Sequence, residues 1–155
     1  MGGKATGAGR SVVRASFLLG GPSGAGVATT VTLGAVAYPM LAKAGYSKEA
    51  AGGLLAAGGL GAIISPPVLG AAAFLIAEYL RISYLDVLLM AVIPTGLYYL
   101  ALFLMVEIDA RKFGMRDVVI ESVDSAWNLA QKYWFHFASF VSTVVLLLIG
   151  FTPVV

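Results

Sequence analysis

The chain has 155 residues, of which 59% are hydrophobic and 12% charged, with a formal net charge of +2. A soluble domain is about a quarter charged, so this composition, with a mean hydropathy of +0.91, marks an integral membrane protein. Zero cysteines exclude a disulfide framework or thiolate metal site, the single histidine, His136, excludes a multi-histidine centre, and +2 is too little charge for nucleic-acid binding.

Residues 1–10 carry Lys4 and Arg10 but no clear signal-peptide cleavage site, and they read as a linker between elements. Thr152-Pro153-Val154-Val155 follows directly on a membrane segment, so a fragment of a larger protein is expected. Residues 11–19 and 27–42 are apolar pieces separated by Gly20-Gly21-Pro22-Ser23-Gly24-Ala25-Gly26. Each piece is shorter than the ~20 residues that cross a bilayer core. A re-entrant hairpin over 11–43 is therefore expected, against the alternative of one kinked span.

Gly45 suits a helix C-cap and Ser47 the following N-cap. A helix over 50–80 is expected to break at Ser65-Pro66-Pro67, since proline lacks a donor and clashes with the preceding turn. Within it, Gly53, Ala57 and Gly61 stand four residues apart and allow close helix contact. Residues 86–106 form a complete span containing Pro94. Tyr84, Tyr98 and Tyr99 suit an aromatic belt or packing. Residues 117–132 suggest an amphipathic surface helix, with Val119, Val123, Trp127 and Ala130 at helical spacing. Residues 134–151 form the last span.

Basic residues favour the hairpin. With a hairpin, nine lysines and arginines lie on one side of the membrane and Arg81 alone on the other; with a full crossing the split is six to four. Cytoplasmic loops are enriched in these residues, so the hairpin tip enters the membrane from the cytoplasm.

Backbone that leaves the helix at membrane depth must be shielded or line a watery cavity, and transporters build sites at such breaks. At the first break Ser23 offers a hydroxyl, Gly24 and Gly26 leave carbonyls unobstructed beside Ala25, and Thr29, Thr30 and Thr32 lie just beyond. Half-helix ends add partial charge. At the second break Pro66 and Pro67 free carbonyls near Ala62 and Ile63, and Ser65 adds a hydroxyl. Such oxygens suit a small hard cation such as sodium. The same residues also suit a packing hinge and a plain proline kink. Glu78 can carry protons or pair with Arg81. Asp86, Glu107, Asp109 and His136 read as interfacial. No catalytic set or phosphate loop is present, so the chain is not expected to be an enzyme.

At both breaks the chain resembles the large membrane subunit of the tripartite ATP-independent periplasmic (TRAP) transporters, especially the fused small/large type. The resemblance lies in Ser23-Gly24-Ala25-Gly26-Val27-Ala28-Thr29-Thr30, Ala44-Gly45-Tyr46-Ser47, Pro66-Pro67-Val68-Leu69-Gly70-Ala71-Ala72-Ala73-Phe74, and the stretch from Ile93-Pro94 to Leu102-Phe103. It implies an all-α, multi-pass protein of the bacterial inner membrane, with about one of the two inverted repeats of an elevator-type transporter. It further implies sodium-coupled import of organic acids, mainly carboxylates. Its partners would be a periplasmic solute-binding protein and the remainder of the transporter, including the small subunit or fused region. No cofactor beyond sodium as coupling ion is implied. Ser23, Gly24, Gly61, Pro66 and Pro67 match family cation and substrate positions, with Ser23, Gly24 and Gly61 the possible sodium ligands. Where the family often has Ser-Gly-Ser, asparagine and Ser-Thr-Gly-Gly-Gln, this chain has Ser23-Gly24-Ala25, Thr29 and Gly59-Leu60-Gly61-Ala62-Ile63. Backbone carbonyls would therefore carry more of the coordination. The alternatives are proton coupling or a non-transporting packing subunit; a channel is weaker, because no span has a polar stripe.

Overall fold

The computed structural model describes residues 7–115 and, further on, residues 138, 141, 142, 145, 146 and 149. Among them the regular structure is entirely helical. The five helices are α1 (Gly7–Ser23), α2 (Gly26–Lys43), α3 (Lys48–Ile64), α4 (Ala72–Leu80) and α5 (Tyr84–Phe113). The helix expected at 117–132 lies outside the described residues. So does the span at 134–151, apart from isolated helical positions.

The two sequence breaks are real chain breaks, with shifted bounds. The first is only two residues wide. Gly24 adopts φ +57, its N–H closes on Gly20 O at 3.0 Å, and extended Ala25 leads into α2. The second is wider than 65–67 and runs from Ser65 to Ala71, because Gly70 N–H caps Ile63 O at 2.7 Å before helix resumes. The surface turns follow the expected chemistry. Gly45, at φ +95, closes α2 through Gly45 N–H to Ala42 O and Tyr46 N–H to Leu41 O, both at 3.1 Å. Ser47 then accepts from Ala50 N–H at 3.1 Å to start α3.

Contacts set the directions of the helices. Ser16 faces Gly58 and Gly20 faces Ala62, so α1 runs parallel to α3. Gly26 faces Gly59 and Gly34 faces Leu55, so α2 runs antiparallel to it. Helices α1 and α2 are thus a hairpin laid along α3. Its stripe Thr29, Leu33, Ala37 and Leu41 is buried at four-residue spacing. Helix α5 runs antiparallel to α1 and α3, as the pairs Arg10–Glu107, Phe17–Tyr99 and Thr95–Ile64 require. The main core joins Val12, Val13, Leu33, Leu41, Leu54, Leu55, Leu102 and Val106. A smaller core joins α4 to the start of α5 through Leu69, Ala73, Tyr84 and Val87.

Helix α5 is longer than the expected 86–106 span. It is the one helix among the described residues long and apolar enough to cross a membrane, with a mean hydropathy of 2.1. Thirty residues at ~1.5 Å each make it about 45 Å long, more than the ~30 Å hydrocarbon core. Large apolar side chains point outward around the bundle: Val27 is 80% exposed, Val36 77% and Leu18 70%. Water disfavours such a surface and lipid does not.

Charge collects at one end, where the start of α1, the α2–α3 turn and the end of α5 meet. There Glu107 joins Arg10, and it also accepts from Arg111 at 3.1 Å. Tyr46 is buried beside Gly9 and Val106, and its hydroxyl has no hydrogen-bond partner. Burial pushes the Tyr46 phenol above its ordinary pKa, and the Asp109 charge adds to the rise. Arg81 lies at the opposite end. It does not pair with Glu78 as expected; instead it takes φ 52 at the end of α4, directing Ile82 N–H to Ala77 O at 3.1 Å.

Candidate functional site

The hairpin tip and the α3–α4 break, far apart in sequence, pack against each other. Val68 N–H donates to Gly21 O at 3.1 Å across the junction. Gly24 is required here twice over. Its φ of +57 suits glycine, and a Cβ would stand 2.8 Å from Val68 O and 3.0 Å from Leu69 O. Two carbonyl oxygens therefore crowd the tip. Gly59 gives the second close approach: its Cβ would collide with Thr30 Oγ1 and lie 2.6 Å from Gly26 O. Backbone meets backbone at this junction because side chains would keep it apart.

The expected stripe of small residues holds at Ala57 and Gly61, which meet Tyr98 and Tyr99 of α5, and fails at Gly53. Gly53 faces open space, and a methyl group added there would meet nothing within 4 Å. A second contact side of α3 carries Gly58, Gly59 and Ala62, turned toward α1 and α2. Spacing alone does not reveal which of several glycine rows faces a partner.

The hydroxyls divide into two groups. Ser65, fully buried, donates back to Gly61 O at 2.7 Å and lies 3.4 Å from Tyr99 Oη. Thr30 donates to its own helix at Gly26 O, 2.9 Å away. Both protons are committed to backbone. Ser23 is exposed at the rim, 3.4 Å from Ala25 O, and Ala25 and Thr32 are exposed too. Thr29 is the exception, 3% exposed with no hydrogen-bond partner for Oγ1. A buried hydroxyl without a partner is uncommon and calls for a physical reason.

Helix starts divide the same way. Helices α3 and α5 begin at surface turns, where Ser47 and Ser83 accept from the first-turn N–H groups of Ala50 and Leu85. Helices α2 and α4 begin at the breaks, and their N-cap residues, Ala25 and Ala71, supply no side-chain cap. At α4 the Ala73 and Phe74 N–H groups bond Gly70 O and Ala71 O, at 2.9 and 3.2 Å, so the start of α2 is the one whose partial positive charge is left to suit an anion.

Helix α5 buttresses the junction through residues that sequence reading missed or left undecided. Thr95 Oγ1 lies 2.5 Å from Ile64 O and 2.7 Å from Ala91 O, covering the carbonyl left at the end of α3. Tyr98 Oη donates to Ala57 O at 2.8 Å. Tyr84 Oη accepts from Leu69 N–H at 3.1 Å inside the break, and its ring stacks on Phe74 at 4.7 Å. These tyrosines pack rather than form an interfacial belt. A lone threonine after Pro94 in an apolar helix was the available signal for Thr95. Pro66 and Pro67 form the turn itself, joined by a cis peptide bond.

Ser65, where the break begins, lies level with Tyr99. At ~1.5 Å per residue this is about 12 Å from Glu107 and about 22 Å from Tyr84 along α5, well inside the helix. Among the described residues no cluster of three or more acidic or histidine side chains is placed to hold a metal. Coordination at the junction would rest on neutral oxygens, the donor set that suits alkali cations. The family model described as the tripartite ATP-independent periplasmic transporter, DctM component, matches residues 1–154. No curated protein and no solved structure shows a significant match.

Proposed function

Because the chain belongs to the DctM family of TRAP transporter membrane components, we propose that it forms one repeat of a sodium-coupled, binding-protein-dependent importer of organic acids in the bacterial inner membrane. In this reading α1 and α2 are a re-entrant hairpin entered from the cytoplasm. Sodium binds where the tip meets the α3–α4 break, and the solute carboxylate meets the uncapped start of α2. The unit α1–α3, tied by backbone contacts at Gly24 and Gly59, moves as a rigid body for alternating access. The remainder of the transporter and a periplasmic solute-binding protein complete the system.

The observation that carries this reading is the buried, partnerless Thr29 hydroxyl one turn beyond the tip. Ser65 and Gly61 support the wall rather than offer free ligands, since Ser65 donates to Gly61 O. Proton coupling at the junction has less support, because the side chains gathered there titrate only as tyrosines.

Thermal unfolding of the complete transporter in detergent tests the proposal, with sodium against potassium at equal ionic strength. A ligand at a hundredfold its Kd stabilises by about 2.7 kcal/mol through mass action. A sodium-specific rise in Tm that disappears in Thr29→Val is expected. In potassium, Thr29→Val should match or exceed the parent, because it removes an unsatisfied buried group. No sodium effect would favour the second reading, a packing subunit, which is supported by the commitment of the Ser65, Thr30 and Thr95 hydroxyls to backbone carbonyls.

A further inference from the structure

Between Pro67 and α4 the chain is held by its N–H groups. Val68 N–H bonds Gly21 O at 3.1 Å, Leu69 N–H bonds Tyr84 Oη at 3.1 Å, and Gly70 N–H bonds Ile63 O at 2.7 Å. Two of the acceptors are main-chain oxygens, on the hairpin and on α3. The other is a side chain from the first turn of α5. Tyr84 is buried, its ring stacks on Phe74, and it packs with Leu69, Ala73 and Val87. Ser83 starts α5 at this point by accepting from Leu85 N–H at 3.2 Å. Ring packing and helix start together fix the place of the Tyr84 hydroxyl.

A peptide unit is planar, and in the trans form its N–H and C=O point in opposite directions. Leu69 N–H and Val68 C=O belong to one such unit. With the N–H on Tyr84, the oxygen is turned to the tip, 2.8 Å from the Cβ position of Gly24. The next unit behaves alike: Gly70 N–H on Ile63 O turns Leu69 O to the same glycine, at 3.0 Å. Among the described residues neither oxygen accepts a main-chain N–H. Both keep lone pairs for a ligand, and the direction of one depends on a single side-chain hydroxyl.

We propose that Tyr84 is a positioning residue for cation binding at the junction, its hydroxyl holding the Val68–Leu69 peptide so that the Val68 oxygen faces the hairpin tip. The role rests on the sodium binding proposed above. Without the hydroxyl, Leu69 N–H is left buried and unpaired, a state that backbone avoids by turning to another acceptor. The Val68 oxygen then leaves the tip. Loss of a group that orients a metal ligand costs about 10–100-fold in affinity.

The complete transporter in detergent is titrated with sodium against potassium at constant ionic strength, and Tm is read at each point. In Tyr84→Phe the curve of Tm against log sodium concentration should shift about tenfold toward higher sodium. Phe74→Leu removes the ring stack and keeps the hydroxyl, so it should lower Tm in potassium and leave the position of the sodium curve unchanged. 3-Fluorotyrosine at position 84 weakens the oxygen as an acceptor at nearly constant shape. It should shift the curve in the same direction by less, and it decides the matter if Tyr84→Phe does not fold. A Tyr84→Phe variant that loses Tm equally in both ions with an unmoved sodium curve would overturn this role and leave the coupling reading standing. An equal shift in Phe74→Leu would overturn it as well, since packing alone would then set the site. No sodium effect in the parent would overturn both the role and the coupling reading.

Discussion

Two glycines on α3, Gly53 and Gly59, should respond to alanine with opposite signs. Gly53 faces open space, and Gly59 faces Thr30 Oγ1 and Gly26 O, the latter 2.6 Å from a Cβ. In a helix interior, alanine is favoured over glycine by about 0.8–1.0 kcal/mol. Gly53→Ala should therefore be neutral or stabilising by up to about 1 kcal/mol. Gly59→Ala gains the same propensity but places a methyl against a carbonyl on a neighbouring helix backbone, which cannot rotate aside. Overpacking of this kind costs about 1–3 kcal/mol and sometimes more. The helices must separate near the tip, where Val68 N–H also bonds Gly21 O. The net expectation is destabilisation of about 1–2 kcal/mol, or roughly 2–8 °C in Tm on the scale of a domain this size. Thermal unfolding in detergent by far-ultraviolet circular dichroism measures both variants. Equal effects, or a larger loss in Gly53→Ala, would refute the assignment of the contact face.

Thr95→Val should cost about 1–2 kcal/mol by leaving Ile64 O without its hydroxyl partner, and Thr95→Ser should recover most of it. Tyr98→Phe, measured in the same way, should cost about 0.5–1.5 kcal/mol through loss of the Ala57 O bond. Tyr46→Phe should raise Tm, because it removes a buried hydroxyl without a partner. Since the Tyr46 pKa is raised on folding, its share of stability is intact below the ordinary tyrosine value of about 10 and falls above it. Tyr46→Phe should therefore also blunt alkaline unfolding, which a pH titration of Tm would detect. Reversing Arg10 alone to Glu should loosen α1 from α5, and adding Glu107→Arg should restore the contact; limited proteolysis near residue 10 reports both.

Local chemistry made the elements legible. Half-length apolar pieces, the glycine tip, the paired prolines and the serine caps mark where helices begin and end, because each acts within a few residues through backbone geometry or one hydrogen bond. Hydropathy identified a membrane protein, since 27–42 and 86–106 have no soluble explanation at that charge density. The basic residues Arg10, Lys43, Lys48, Arg111 and Lys112 could be grouped on one side, and in the bundle the start of α1, the α2–α3 turn and the end of α5 do meet. The motifs around Ser23 and Pro66 carried enough family character to be recognised.

Which oxygens remain available at the junction was not legible. Ser65 and Thr29 look alike in sequence as hydroxyls near a break. Only packing shows that Ser65 turns back on Gly61 O while Thr29 is buried without a partner. Glu78 and Arg81 have the spacing of a helical pair, but the left-handed end of α4 turns Arg81 out of that register. Gly53 and Gly59 are equally small, and the neighbouring helix decides which one matters. The existence and order of the elements follow from forces within one turn of the chain, so sequence by itself determined them here, although the second break and α5 extend beyond the expected bounds. The pairing of tip with break, the contact face of α3 and the support from Thr95 and Tyr98 depend on residues distant in sequence being brought together, which only the tertiary structure decided.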